Sequence, residues 1–182
     1  MSSLFNSYRI IIIILYISSA VFLSSCGDDD DDPVKPGNGN GNQQNDITFN
    51  GGSLNGQTLN LTGLGGGYSP SENITAVVLS GVSGQDTVRV IIAFPGSTTG
   101  TFEWQDLTVS GTGDESSGTI LAFGETINEW YYSDGSAGAT AVTTYGEVGQ
   151  TITGTFSGNL ISLTDSMSIN GNFAVTRLPN GE

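Results

Sequence analysis

The 182-residue chain contains no histidine and a single cysteine. These absences exclude a Ser-His-Asp triad, a Cys-His nucleophile pair, a structural zinc site and a disulfide within one chain. Cations are almost as scarce. Arg9, Lys35, Arg89 and Arg177 are the whole basic complement, against 18 acids and a formal net charge of -14. All the acids lie at or beyond Asp28. A chain this acidic repels phosphate backbones, so nucleic acid is excluded as a partner. Glycine (27 residues) and proline (5) together stay below the share that marks low-complexity chains. The length fits one folded domain.

What is present begins with an address. Arg9 precedes an unbroken apolar run from Ile10 to Leu15, continued from Tyr16 to Leu23 with only Ser18 and Ser19 as polar breaks. The run is too short for a spanning helix of about 20 residues and suits a signal-peptide core. It ends in Leu23-Ser24-Ser25-Cys26. This sequence resembles a bacterial lipobox, an apolar residue and two small ones before a cysteine that is lipidated and becomes the new N-terminus. The resemblance implies a signal peptide over 1–25 and a diacylglycerol thioether with an N-acyl chain such as palmitate on Cys26. Several acyl chains anchor stably where one does not, each buried methylene contributing about 0.8 kcal/mol.

Gly27 and five consecutive acids, Asp28, Asp29, Asp30, Asp31 and Asp32, follow the cysteine. On physical grounds the run is a solvated, self-repelling tether. It also resembles the export signal of Bacteroidota-type lipoproteins, which implies an outer-membrane location facing the cell exterior. Residues 33–46, PVKPGNGNGNQQND, cannot bury enough apolar surface to offset ordering entropy. Residues 26–46 are therefore expected to be a lipidated, disordered tether, its linker part reaching on the order of 20 Å.

From residue 47 to 182 the composition shifts to Thr, Ser, Gly, Val and Ile, without lysine. Helical periodicity is missing and period-two alternation is strong. Val88, Val90, Ile92 and Phe94 share one parity; so do Ile152, Phe156 and Leu160, and Met167, Ile169, Phe173 and Val175. One apolar face per strand predicts antiparallel pairing. Strands are expected near 46–50, 57–62, 73–80, 86–94, 100–104, 106–110, 118–123, 128–133, 139–145, 150–160 and 166–177. Gly81–Gln85 and Ser133–Gly138 read as hairpin turns, Pro95-Gly96 as a strand stop, and Gly63–Gly67 as a flexible loop, because no helix pattern follows it to make a phosphate cradle. The fold class predicted is all-β, an antiparallel β-sandwich or flattened β-barrel of about ten strands.

The segments Thr143–Gly149, Ile152–Gly158 and Ile169–Phe173, with Leu54–Gln57, resemble the closing and opening strands of small uncharacterised Bacteroidota-type surface lipoproteins. No activity comes with that resemblance. Aromatic side chains supply the candidate ligand site: Trp104, Trp130 and Tyr132, with Glu129 beside them, since flat rings stack on the C–H faces of sugars while carboxylates and amides bind hydroxyls. Strand alternation puts Trp130 and Tyr132 on one face and Glu129 and Tyr131 on the other. The competing reading is that the aromatics fill the core. Glu103, Asp106, Glu125, Glu129 and Glu147 are the carboxylates from which a glycoside hydrolase would need a close pair. Asp86-Thr87-Val88 and Asp165-Ser166-Met167 resemble the Asp-Ser/Thr-apolar acceptor of Bacteroidota O-glycosylation, which would make Thr87 and Ser166 modification sites. The sequence thus predicts a non-enzymatic, surface-tethered β-domain that binds a glycan or a protein. An envelope-assembly lipoprotein partnering an outer-membrane protein is the alternative, and a small hydrolase the third reading. No catalytic residue, metal or cofactor is assigned.

Overall fold

The computed structural model describes residues 45–107, 117–123 and 129–181. They form nine strands: β1 (Asn45–Gly51), β2 (Thr58–Ser69), β3 (Ile74–Ser83), β4 (Asp86–Pro95), β5 (Gly100–Glu103), β6 (Gly118–Phe123), β7 (Glu129–Tyr145), β8 (Thr151–Ile161) and β9 (Ser166–Thr176), with one 3-10 turn at Gly52–Leu54. The order is β5-β7-β6-β4-β3-β2-β1-β9-β8, and β8 pairs back onto β7. All these strand pairings are antiparallel. The result is a closed eight-stranded barrel, with β5 as an extra strand on the β7 edge. Closure decides between the two architectures the sequence allowed.

Alternation gives each strand an inward apolar row. Ile47, Phe49, Val77, Leu79, Val90, Ile92, Phe156 and Ile169 are among the residues that fill the interior, and Leu54 from the 3-10 turn joins them. An eight-stranded barrel is just wide enough for side chains to fill. Glycines make room for the largest of them. Trp104, following β5, lies against the paired Gly138 and Gly158, and a Cβ on either would collide with its indole. The indole also stacks on Phe156 at 6.4 Å and donates from Nε1 to the buried Thr140 hydroxyl at 2.9 Å. Gly154 similarly lies beneath the Phe173 ring. At the opposite end from Leu54, Phe94 stacks on Phe102 at 5.4 Å and meets the edge of Tyr145 at 6.4 Å. Buried Thr75 donates to the Gly96 carbonyl at 2.6 Å and pairs with the Tyr145 hydroxyl at 2.9 Å, so its polar atom is satisfied inside the apolar plug.

Several expectations need correction. The turn expected at Ser133–Gly138 does not reverse the chain. β7 runs through it, and the pairing steps from Ser133↔Leu160 to Gly138↔Gly158, so three extra residues bulge out of β7. The turn chemistry that suggested a hairpin is real but local: Asp134 Oδ1 accepts from the Ser136 amide at 2.9 Å and hydroxyl at 2.6 Å, and Gly135 has φ +68°. The two strands expected at 128–133 and 139–145 are therefore one, and with no described strand at 106–110 the eleven expected ranges become nine. The strand expected at 106–110 is reduced, in its described part, to an isolated bridge between Asp106 and Asp134; residues 108–110 lie outside the described residues.

The glycine run 63–67 is not a loop but part of β2. A bulge between Gly63 and Gly65 breaks its register with β3, and Gly65 has φ +145°. A Cβ on Gly66 would press on the methyl groups of Ile152, Val175 and Val77, which would have to shift to admit it. The hairpin expected at Gly81–Gln85 is present: Ser83 pairs Asp86, and Gly84, at φ +64°, opens a two-residue turn.

Candidate functional site

Because side chains fill the interior, the outer wall is where the barrel meets its surroundings. Trp130 and Tyr132 point outward from β7 while Tyr131 between them is buried in the core. Trp130 is 41% exposed and Tyr132 half-buried. Burial raises the Tyr132 phenol above its ordinary pKa. Register extends this aromatic pair into an outward row of apolar residues. Val78 pairs Ile91, Ile91 pairs Ile120, Ile120 pairs Tyr132 and Tyr132 pairs Ile161. Val78, Ile91 and Ile120 are buried although they lie outside the core cluster, Ile91 at 3% exposure. Trp130 stands one row away, across from Ala122.

The sequence signal for this row was the pair of runs Val77-Val78-Leu79 and Val90-Ile91-Ile92, apolar on both parities rather than one. Reading a single apolar parity per strand passed over it. Asn45, expected within the disordered linker, is instead buried at the start of β1, a position its sequence context did not signal.

Trp104 does not belong to this surface. It is 5% exposed and part of the core, so it offers no ring face to a ligand. Glu129 is also separated from Trp130. It sits at the end of β7, where its Oε2 accepts from the Ser53 hydroxyl at 2.8 Å and from the Tyr131 hydroxyl at 3.2 Å. Of the four residues read as one ligand site, only Trp130 and Tyr132 share a face. Thr87 is half-buried next to the β3–β4 turn, and Ser166 is exposed at the start of β9; the two strand starts lie at the same end of the barrel. Glu129 opens β7 and Glu147 lies beyond its other end, so the two do not form a carboxylate pair. Cys26, Asp28–Asp32 and Glu125 lie outside the described residues. Among the described residues, no group of three or more His, Cys, Asp or Glu side chains is placed to hold a metal.

Tyr131 carries a pH prediction. Burial is the first cause that lifts its phenol above the ordinary value; the Glu129 charge, the hydrogen bond to Glu129 and the Asp165 charge add to it, while Ser53 opposes. Its folded pKa thus exceeds its unfolded value. Such a group leaves stability intact below about pH 10 and removes it as pH rises through the folded value, because the unfolded chain releases the proton first. Stability against urea should fall above about pH 10, and Tyr131→Phe should flatten that fall. An equally steep alkaline loss in the variant would assign it to other groups.

No protein family model, no curated protein and no solved structure matches this chain. The class that can be stated is the fold: a closed, antiparallel eight-stranded barrel with one added strand.

Proposed function

We propose that the protein is a non-enzymatic surface lipoprotein of the outer membrane, anchored through lipidated Cys26 and carrying a barrel that binds an extracellular glycan or protein on its outer wall. The reading of anchor and location rests on the order of the N-terminal features: one cation, an apolar core, the Leu23-Ser24-Ser25-Cys26 box and the acidic run. The binding reading is carried by one observation, the large exposed Trp130 beside half-buried Tyr132 on the outward row. A solvent-exposed tryptophan presents a large, flat apolar ring that commonly anchors ligands. The assembly alternative would need a long open edge strand, whereas β5 pairs with β7 alone and is only four residues long. A short edge is a poor template for strand addition.

The chain's two tryptophans separate the outcomes. Trp104 is enclosed, so an emission shift on adding ligand reports Trp130. Titrating the full-length chain in detergent with a panel of polysaccharides and oligosaccharides should give a saturable shift that Trp130→Ala abolishes. A shift that survives Trp130→Ala, or none with any sugar, would rule out the glycan form of this reading.

A further inference from the structure

On the wall formed by β8 and β9, the two strands pair over their whole length, from Thr151↔Thr176 to Ile161↔Ser166. Neither contains a charged residue: TITGTFSGNLI and SMSINGNFAVT. The paired β2 and β3 are also uncharged, but they expose Leu64 and Val82, whereas the wall of β8 and β9 is polar without being charged. Exposed sheet faces ordinarily carry mixed charges that keep them soluble and unassociated. Here three successive outward pairs, Thr155↔Asn172, Ser157↔Asn170 and Asn159↔Ser168, are hydroxyl or amide throughout. Each is exposed or half-buried. The next strand continues the pattern, with Thr48 paired to Asn170.

We infer that this ribbon is a binding surface for an uncharged, extended polysaccharide lying lengthwise along β8 and β9. Successive pairs stand about 6.7 Å apart along the strands and the two rows about 4.8 Å apart across them. The ribbon therefore offers a straight track of polar contacts along the barrel wall, whereas across the strands the wall curves away. Hydroxyls and amides both donate and accept, so they match sugar hydroxyls in any proton arrangement. The chain's net charge of -14 repels anionic polymers. The ribbon's six residues contain no aromatic or apolar anchor of the kind a protein partner uses, so binding here rests on hydroxyl and amide hydrogen bonds rather than on the ring stacking of the Trp130 site. The surface differs from the Trp130 row, and the inference rests on the preceding section only in treating the barrel as a binding module.

The test is native affinity electrophoresis of the full-length chain in detergent. The gels contain dissolved mixed-linkage β-glucan, galactomannan or, as the anionic control, polygalacturonate. At least one neutral polymer should retard the chain, and polygalacturonate should not. The double variant Ser157→Glu, Asn170→Glu should lose the retardation at least fivefold, measured against its own mobility without polymer. Ser157→Ala with Asn170→Ala, which adds no charge, should weaken it in the same direction. Unchanged Trp104 emission in each variant reports an intact barrel. Retention in Trp130→Ala, together with loss in the ribbon variants, would establish the ribbon. Retardation lost only in Trp130→Ala would overturn it while leaving the proposed function standing. No retardation by either neutral polymer would overturn it as well.

Discussion

Replacing Trp104 by alanine is expected to cost about 3–5 kcal/mol, the upper range for emptying a large core site. The cost should be high because the neighbours are unable to fill the space. The indole lies over Gly138 and Gly158, which have no side chains to move, on backbone fixed by β7–β8 pairing. Removal also strips the Nε1 donor from the buried Thr140 hydroxyl and one face of contact from Phe156. Gly158→Ala should be destabilising from the other side, since its methyl would enter the ring. Trp130→Ala, on the exposed wall, should stay within about 1 kcal/mol of the parent. Equilibrium urea unfolding of the full chain reads all three. Equal costs for the two tryptophans would contradict the division between core and surface drawn above.

Asn45→Ala should be the next most damaging change, roughly 2–4 kcal/mol, because two backbone groups lose their partners at about 1–3 kcal/mol each. β1 enters the wall as a wedge between β2 and β9, which run in the same direction. Beyond its first residue those two strands meet directly, in the parallel bridge Gly66↔Arg177 and the 2.8 Å bond from the Leu178 amide to the Gly66 carbonyl. Buried Asn45 fills the fork. Its Nδ2 donates to the Leu61 carbonyl on β2 at 2.8 Å, and its Oδ1 accepts from the Ala174 amide on β9 at 2.6 Å. The side-chain amide thus ties β2 to β9 next to their direct contact. Asn45→Asp keeps the acceptor and loses the donor. A carboxyl buried there titrates above its unfolded value, so its contribution is present at low pH and lost as pH rises through the folded value. The variant should therefore lie nearer the parent at about pH 4 than at about pH 7. Thermal unfolding of both variants across that range checks the assignment. An alanine variant as stable as the parent would show that the fork needs no such bridge.

Much of this fold was legible in the residues. Alternation in Val88–Phe94, Ile152–Leu160 and Met167–Val175 identified strands and their buried parity, because side-chain direction along a strand is set by the backbone alone. Gly84 marked a two-residue turn, because a reversal there requires a positive φ that glycine adopts freely. The same local logic misled at Asp134–Ser136 and at Gly63–Gly67. In both places the residues have turn or loop chemistry, and pairing with a neighbour absorbs it as a bulge within a continuous strand.

The candidate surfaces divide in the same way. The sequence alone determined the opposite facing of Trp130 and Tyr131, the charge-free composition of β8 and β9, and the absence of histidine chemistry, all properties of adjacent residues or of totals. Only the tertiary structure decided that the sheet closes, that Trp104 is sealed over two glycines, that Asn45 bridges two strands, and that the hydroxyls and amides of β8 and β9 stand opposite one another. Each of these depends on which strands become neighbours and in what register. That is settled by the joint packing of one filled interior, a condition involving residues as far apart as Asn45 and Ala174.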